Sequence, residues 1–242
     1  TLVLMAYDEH YGRGDPGPNA GQDWFESELD RRGRELDPAR TILALGAYGY
    51  DWPVGAGPAS GAAVTFHEAL QLAADSGVDI TTDADSLNPT FRYQDDAGQA
   101  HVVWFLDATS VFNAVRTATA WRPRGYAIWR MGMEDPGVWS VLGQPPGHAD
   151  ANALTRLAAG QTVDFHGEGE VLRVGRQPTT GRRTLTLDPD TGLIADERYD
   201  AIPTGYIIER FGQSRGPVAL TFDDGPDARW TGRILDILKA KQ

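Results

Sequence analysis

The stretch Thr1-Leu2-Val3-Leu4-Met5-Ala6-Tyr7-Asp8-Glu9-His10 opens the sequence with an apolar run that ends in an aromatic residue and polar ones. A continuous apolar run is typical of a parallel strand that is covered on both faces of its sheet. The Gly/Pro-rich loop 12–21 leads into a predicted helix bearing Trp24 and Leu29, and Ile42 to Ala47 predicts a second strand. The order strand, loop, helix, strand predicts an α/β fold with polar groups at the C-terminal end of the first strand.

Two further segments place aromatic and acidic residues at strand ends. Tyr48-Gly49-Tyr50-Asp51-Trp52 follows the second strand, and a third predicted strand, Gly125 to Ile128, ends in Trp129-Arg130-Met131-Gly132-Met133-Glu134-Asp135. The C-terminal ends of parallel strands meet at one face of a (β/α)8 barrel, and active sites are built there. The three strand ends therefore predict part of such a barrel, with a ligand site at that face.

These segments together resemble a known family. Met5-Ala6-Tyr7-Asp8, Tyr48 to Trp52 and Ile128 to Asp135 are similar, in this order, to strands six, seven and eight of glycoside hydrolase family 18. The similarity is to the subgroup of spore-cortex and peptidoglycan-associated members, and it covers about residues 1–142. The resemblance implies a partial TIM barrel that acts on β-1,4-linked N-acetylglucosamine polymers, with the acetamido group of the sugar attacking its own anomeric carbon.

The resemblance also implies roles for individual residues. Tyr7 and Asp8 would hold and polarise the acetamido group as catalytic residues, and Trp129 would form the apolar floor under the distorted sugar. Further substrate contacts are expected from Tyr48, Tyr50, Trp52 and Glu134. The family's general acid is a glutamate in an Asp-x-x-Asp-x-Asp-x-Glu motif on strand four, and this sequence lacks that motif. We therefore expect the chain itself not to cleave sugar bonds, and no cofactor is implied for the barrel.

The segment of about residues 54–107 has the pattern of an α+β insertion between the second and third strands. Thr65 and Glu68 form a predicted capping box at the start of a helix. A hairpin with alternating apolar residues follows, and its Trp104 either lines a sugar groove or packs in the core. A predicted helix from about Ala108 to Ala120 returns the chain to the third strand.

Residues 143–215 are interpreted as a linker followed by a β-rich connector. Pro145-Pro146-Gly147 marks the start of the linker, and Val171 to Val174 and Thr184 to Leu187 have strand character. His166 lies in this segment. A single histidine without a spaced partner is more often a surface or core residue than a metal ligand.

The stretch Thr221-Phe222-Asp223-Asp224-Gly225-Pro226-Asp227 places adjacent carboxylates on a tight turn. An apolar run, Val218 to Leu220, precedes the turn, and an amphipathic run, Trp230 to Leu238, follows it. In this order the segment resembles the opening strand, first motif and first helix of the polysaccharide deacetylase family. A simple turn that joins a strand to a helix is the alternative interpretation.

The second resemblance implies that residues 216–242 begin a deacetylase domain. Asp223 would be the catalytic general base, and Asp224 would be a ligand of a zinc-type divalent metal. In that family two histidines further along the chain complete the metal site, and no histidine follows Asp227 in this sequence. We therefore expect the metal site to be incomplete in this chain and to bind metal only weakly.

Composition narrows the class of ligand. The formal net charge of −12 argues against nucleic acid and anionic membrane surfaces as partners. Seven Trp and eight Tyr favour neutral ligands that stack on aromatic rings, and the absence of Cys excludes disulfides and thiolate metal sites. No stretch approaches the roughly 20 apolar residues of a membrane span. These features agree with an extracytoplasmic or cell-surface carbohydrate protein, and they leave its oligomeric state open.

The whole sequence is interpreted as a piece of a multidomain polysaccharide-processing protein, in which glycoside hydrolysis and N-deacetylation act on the same N-acetylglucosamine polymer. The alternative is a non-catalytic carbohydrate-binding barrel that keeps only the aromatic groove. A purely structural α/β domain would leave the three aromatic and acidic strand ends unexplained. The sequence does not distinguish chitin, peptidoglycan and secreted poly-N-acetylglucosamine as the polymer.

Overall fold

The computed structural model describes residues 1–55, 61–212 and 220–241. The strands, numbered along the chain, are β1 (Leu2–Ala6), β2 (Thr41–Gly46), β3 (Gly49–Pro53), β4 (Ala62–Val64), β5 (Thr81–Thr82), β6 (Pro89–Gln94), β7 (Ala100–Phe105), β8 (Gly125–Trp129), β9 (Arg156–Leu157), β10 (Val163–His166), β11 (Val171–Arg176), β12 (Gly181–Leu187), β13 (Ile194–Ala201) and β14 (Tyr206–Phe211). The α-helices are α1 (Gln22–Gly33), α2 (Phe66–Ser76), α3 (Ala108–Ala118), α4 (Val138–Leu142) and α5 (Thr231–Ala240). Short 3-10 turns span Pro38–Arg40 and Ala151–Thr155. No helix in these ranges is both long and apolar enough to cross a membrane.

Strands β1, β2 and β8 form a parallel sheet in the order β1-β2-β8, which confirms the three predicted parallel strands. Their registers bring Ala6, Leu45 and Ile128 side by side. One face of the sheet packs on α1 and α3, in a core that includes Phe25, Leu29, Leu43, Leu45, Val111, Phe112 and Val115. The described residues do not close this sheet into a barrel, so the barrel itself stays a prediction.

Strand β1 differs from expectation in its exposure. The apolar run predicts cover on both faces, but Val3 and Met5 are 56% and 67% exposed. Leu4 and Ala6 pack against the core between the sheet and the helices. Because side chains alternate along a strand, only one face of β1 meets a neighbouring layer in the described part of the chain. The prediction of two covered faces is wrong for this strand.

The insertion forms an antiparallel sheet in the order β4-β3-β7-β6-β5, with α2 packed on one face. This sheet starts at Gly49 with β3, earlier than the predicted boundary near residue 54. The capping box is confirmed, since the Thr65 hydroxyl accepts from the Glu68 backbone N–H and the Glu68 carboxylate accepts from the Thr65 N–H. Trp104 is partly buried beside Tyr50, on the face away from α2, so both of its interpretations stay open.

The predicted connector consists of two sheets with different surroundings. Strands β9, β12 and β13 form one antiparallel sheet, and β10, β14 and β11 form another. Ala151, Leu154 and Ile194 belong to the core on α1 and α3, and Leu157 belongs to the core of the insertion. The stretch 143–160 is therefore not a simple linker, because it contributes buried side chains to both cores.

The C-terminal segment contains the predicted helix as α5, none of whose side chains is buried. The predicted strand Val218 to Leu220 lies outside the described residues except for Leu220. The start of a deacetylase domain at residue 216 stays a prediction.

Candidate functional site

A carboxylate lies at the C-terminal end of β1. Asp8 is exposed and has a φ of 64°, in the left-handed region that few residues other than glycine adopt. This conformation costs roughly 1–2 kcal/mol for a residue with a Cβ atom. Such costs are concentrated at sites where the side chain must be aimed for function. The backbone thus turns the Asp8 carboxylate away from the direction that a continued strand would give it.

Two tyrosine hydroxyls hold this carboxylate. The hydroxyl of Tyr48, in the turn between β2 and β3, donates a short hydrogen bond to Oδ1 of Asp8, and the hydroxyl of Tyr50 lies 3.4 Å from the same oxygen. Burial, together with the Asp8 carboxylate, raises the pKa of both phenols above the ordinary value of 10.0. Both tyrosines therefore remain protonated donors at neutral pH, and they orient Asp8.

The aromatic residues near Asp8 differ in what they can offer a ligand. The Tyr7 and Tyr48 rings meet edge to face with centroids 6.2 Å apart, and the Tyr50 and Trp52 centroids are 5.3 Å apart. Trp52 is only 2% exposed, and its indole packs against Gly61. Trp52 therefore does not expose its ring in this structure, where the ring supports Tyr50 from inside the insertion, and its substrate contact stays a prediction. Tyr48 is also buried, and its contact is with Asp8.

The exposed indole at this face belongs to Trp129, at the end of β8. Trp129 is 53% exposed and pairs in register with Gly46 at the end of β2. A Cβ atom added to Gly46 would lie 2.9 Å from the Cβ of Tyr7, so Gly46 lets Tyr7 approach the sheet closely. Tyr7 and Trp129 thus both lie next to Gly46 at the C-terminal end of the sheet.

The two glutamates near these strand ends make local contacts instead of facing Asp8. The Glu134 carboxylate accepts from the Gly132 N–H in its own loop and lines a groove with Thr65 at the start of α2. The Glu9 carboxylate accepts from the Gly21 N–H at 2.8 Å, and burial raises its pKa. The structure therefore does not bring the predicted substrate residue Glu134 into contact with the Asp8 group.

The C-terminal aspartates lie on an exposed turn. Asp223 and Asp224 are both exposed, and Asp224 has a φ of 57°. Among residues 1–55, 61–212 and 220–241, no group of three or more His, Asp or Glu side chains is arranged to hold a metal ion. A catalytic zinc site uses three protein ligands, so the donors of this turn alone do not fit one.

A buried ionic cluster was not anticipated from the sequence. Arg183 of β12 is 1% exposed, and its guanidinium contacts Asp107 at 2.5 Å, Asp135 at 3.0 Å and Glu197 at 3.2 Å. The Tyr199 hydroxyl donates to Asp107 at 2.9 Å. The cluster joins the β9-β12-β13 sheet to the start of α3 and to the loop after Trp129. Its members are far apart in sequence, and the available signal was only an arginine directly before the strand pattern of Thr184 to Leu187.

No protein-family model matches the chain. Over 143 residues it is 27% identical to the cortical fragment-lytic enzyme of Bacillus anthracis, which covers 58% of this chain and 33% of that protein. The fold resembles a chitinase from Chromobacterium violaceum, with a TM-score of 0.54, 34% identity and coverage of 59% of this chain and 44% of the chitinase. It also resembles the spore cortex-lytic enzyme SleL of Bacillus cereus, with a TM-score of 0.54, 28% identity and coverage of 58% and 34%.

These comparisons agree with the first resemblance stated from the sequence, over 58–59% of the chain, and leave the deacetylase resemblance as a prediction. The similar proteins are glycosylases, a chitinase and cortex-lytic enzymes, and the α/β fold of this chain resembles chitinase-like domains. The chain spans 33% and 41% of the length of two Bacillus subtilis glycosylases to which it is also similar.

Proposed function

We propose that the C-terminal face of the β1-β2-β8 sheet binds an N-acetylglucosamine-containing polymer, as part of a site of the glycoside hydrolase family 18 type. The observation that carries the proposal is the Asp8 carboxylate, which two tyrosine hydroxyls hold at the end of β1, on the C-terminal face of the sheet where β8 presents the Trp129 indole. A fixed carboxylate matches the amide N–H of an N-acetylated sugar, and a flat indole matches the apolar face of its ring. The similarity to a chitinase and to cortex-lytic enzymes supports this substrate class.

The residues of the face then have distinct roles. Asp8 accepts a hydrogen bond from the acetamido N–H and stabilises the positive charge that develops when the acetamido oxygen attacks the anomeric carbon. Tyr7 contacts the same acetamido group, and Tyr48 and Tyr50 keep the carboxylate aimed at it. Trp129 forms the apolar floor for the sugar ring. These roles require only groups at the C-terminal strand ends.

Cleavage needs one more group. As the bond from the acetamido oxygen to the anomeric carbon forms, the bond to the leaving oxygen breaks, and that oxygen must receive a proton from a general acid. The chain contains no Asp-x-x-Asp-x-Asp-x-Glu motif that would provide this acid. The residues of this chain therefore bind and polarise the substrate. The same missing motif favours, as a second candidate, carbohydrate binding without hydrolysis.

The deacetylase interpretation of Thr221 to Asp227 rests on the motif alone. We propose that this segment belongs to a unit that removes acetyl groups from the same polymer, with Asp223 as base, while Asp224 would be one ligand of a divalent metal whose other ligands this turn does not provide. We also propose an extracytoplasmic location, because the proposed substrate is a polymer of the cell surface.

The test of sugar binding compares two tetrasaccharides by calorimetry, the N-acetylglucosamine tetramer and the glucose tetramer. Asp8→Asn keeps the size of the side chain but removes its charge, so it should weaken binding of the acetylated tetramer about tenfold and leave the glucose tetramer unchanged. Trp129→Ala should weaken both, because stacking does not involve the acetamido group.

Trp139→Ala is the matched control, since Trp139 on α4 is 46% exposed and lies outside the proposed face. An equal loss in Trp129→Ala and Trp139→Ala, or equal binding of both tetramers by the wild type, would contradict the proposal. This chain should release no reducing ends from the acetylated tetramer under either candidate, because it lacks the motif that provides the general acid.

A further inference from the structure

We infer that Arg183 positions the loop that follows Trp129, which makes the β9-β12-β13 sheet a supporting part of the carbohydrate site. This inference rests on the proposed function for the role of Trp129. It goes beyond that function by assigning a task to residues that the sequence pattern places in a connector. Arg183 itself is buried and does not touch a ligand, so it acts through Asp135.

The loop after Trp129 is fixed at three places. The Trp129 carbonyl accepts from the Ala47 N–H at 2.8 Å, which attaches the start of the loop to the end of β2. The Met133 carbonyl accepts from the Phe66 N–H at 2.8 Å, which attaches its middle to α2. Asp135 attaches its end, and this is the attachment that depends on the connector.

Asp135 is 1% exposed and uses both of its oxygens. Its Oδ1 accepts from the Gly137 N–H at 2.8 Å, and its Oδ2 accepts from the Ala108 N–H at 3.2 Å and from Nη2 of Arg183 at 3.0 Å. The bond from Ala108 holds the carboxylate at the start of α3, and the bond from Gly137 holds it to the chain directly after it. A buried carboxylate also needs a cation, and Arg183 is the cation that contacts it.

The guanidinium sets the relative positions of several elements at once. Its Nη1 donates to Asp107, which caps the N-terminus of α3, while its Nε donates to the Leu154 carbonyl at 2.8 Å. A guanidinium is planar and its donors have fixed directions, so its partners must keep fixed distances from one another. A lysine ammonium carries the same charge but does not impose this geometry. Arg183 therefore fixes the end of the Trp129 loop relative to α3.

The experiment measures the position of Trp129 without and with sugar. The chain is labelled with 5-fluorotryptophan, and the Trp129 signal is assigned by its loss in Trp129→Phe. In Arg183→Lys and in Asp135→Asn we expect the Trp129 signal to shift or broaden. The affinity for the N-acetylglucosamine tetramer should fall about tenfold, because displacements near 1 Å are enough for such losses.

Asn113→Ala is the matched control. Asn113 exchanges two hydrogen bonds with the backbone of Ile194, at 2.9 and 2.8 Å, so it also attaches the connector to α3 without touching the Trp129 loop. This variant should lose stability but keep the Trp129 signal and the sugar affinity of its folded fraction. A general loss of packing would instead move the signal equally in all three variants.

The inference is overturned if folded Arg183→Lys and Asp135→Asn both keep the wild-type Trp129 signal, or if Asn113→Ala changes it as much. If Arg183→Lys does not fold, Asp135→Asn decides, since it retains the size of the side chain. If the wild type does not bind the tetramer, the proposed function fails, but the fluorine signal still tests whether Arg183 positions the loop.

Discussion

The two sheets between residues 156 and 211 contain similar side chains in opposite surroundings. In the β9-β12-β13 sheet, Arg183 and its three carboxylate partners have side chains no more than 1% exposed. In the β10-β14-β11 sheet, Arg173 pairs with Glu209, and their side chains are 66% and 40% exposed. Arg183–Glu197 and Arg173–Glu209 are both arginine–carboxylate contacts on neighbouring antiparallel strands. The packing around each sheet decides how strongly the contact affects ionisation and stability.

The buried contact changes the ionisation of its members. Burial raises the pKa of Glu197 and Tyr199 well above their ordinary values. Burial opposes ionisation of Asp107 as well, but the Arg183 charge and the hydrogen bonds that Asp107 accepts together outweigh it, so the pKa of Asp107 is lowered. The same cluster thus keeps Asp107 charged, while Glu197 stays protonated at higher pH than an exposed glutamate. An exposed pair is screened by water and has little such effect.

The largest expected difference between the sheets is in stability. Arg183→Met leaves buried carboxylates without a cation and should lower the free energy of unfolding by about 3–5 kcal/mol. Arg173→Met removes an exposed pair and should lower it by about 1 kcal/mol or less. Urea unfolding at neutral pH, followed by circular dichroism, measures both. Equal losses would show that the two sheets do not differ as described.

The contrast also shows which features the sequence could predict. The three parallel strands, the capping box at Thr65 and the placement of Tyr7, Asp8 and Trp129 depend on patterns within short segments. Hydrophobic periodicity and capping are local properties, so they can be read without a fold. The C-terminal ends of these strands then lie at the same edge of the sheet, because parallel strands run in one direction.

Contacts between distant segments could not be read in this way. Arg183 lies 76 residues from Asp107 and 48 from Asp135, and nothing in the local pattern of β12 pairs them. Trp52 is of the residue type that stacks on sugars, but Gly61 packs against its indole and the residue is buried. The strands of the two connector sheets have similar sequence patterns. Their burial differs in the structure because it depends on what packs against each strand.

A smaller difference is expected in the dependence of stability on pH. Because burial raises the pKa of Glu197, its contribution is fully present below the ordinary pKa of 4.5 and is lost as pH rises toward the folded pKa. Glu197→Gln cannot ionise, so its stability relative to wild type should rise between about pH 5 and about pH 8, by at most about 1.4 kcal/mol per unit.

Asp107, Asp135, Arg183 and Tyr199 surround Glu197 in this cluster. The lowered pKa of Asp107 acts in the opposite direction, but only as pH falls below its ordinary value of 3.8, outside this window. Parallel pH profiles for wild type and Glu197→Gln would mean that Glu197 is ionised in the folded protein.

The smallest effect is expected within the exposed sheet. The Arg210 guanidinium lies 4.6 Å from the centre of the Phe165 ring, and Phe165 is 51% exposed. A cation–π contact at an exposed site contributes about 0.5–1 kcal/mol. A double-mutant cycle with Arg210→Met and Phe165→Leu isolates this coupling from the separate effects of each change. Arg176→Met, on β11 of the same sheet, controls for loss of a positive charge.

Water weakens such a cation–π contact, and removing water strengthens it to about 2 kcal/mol or more. A coupling of that size would mean that another surface covers this face in solution, and the two sheets would then differ in what covers them instead of in their exposure.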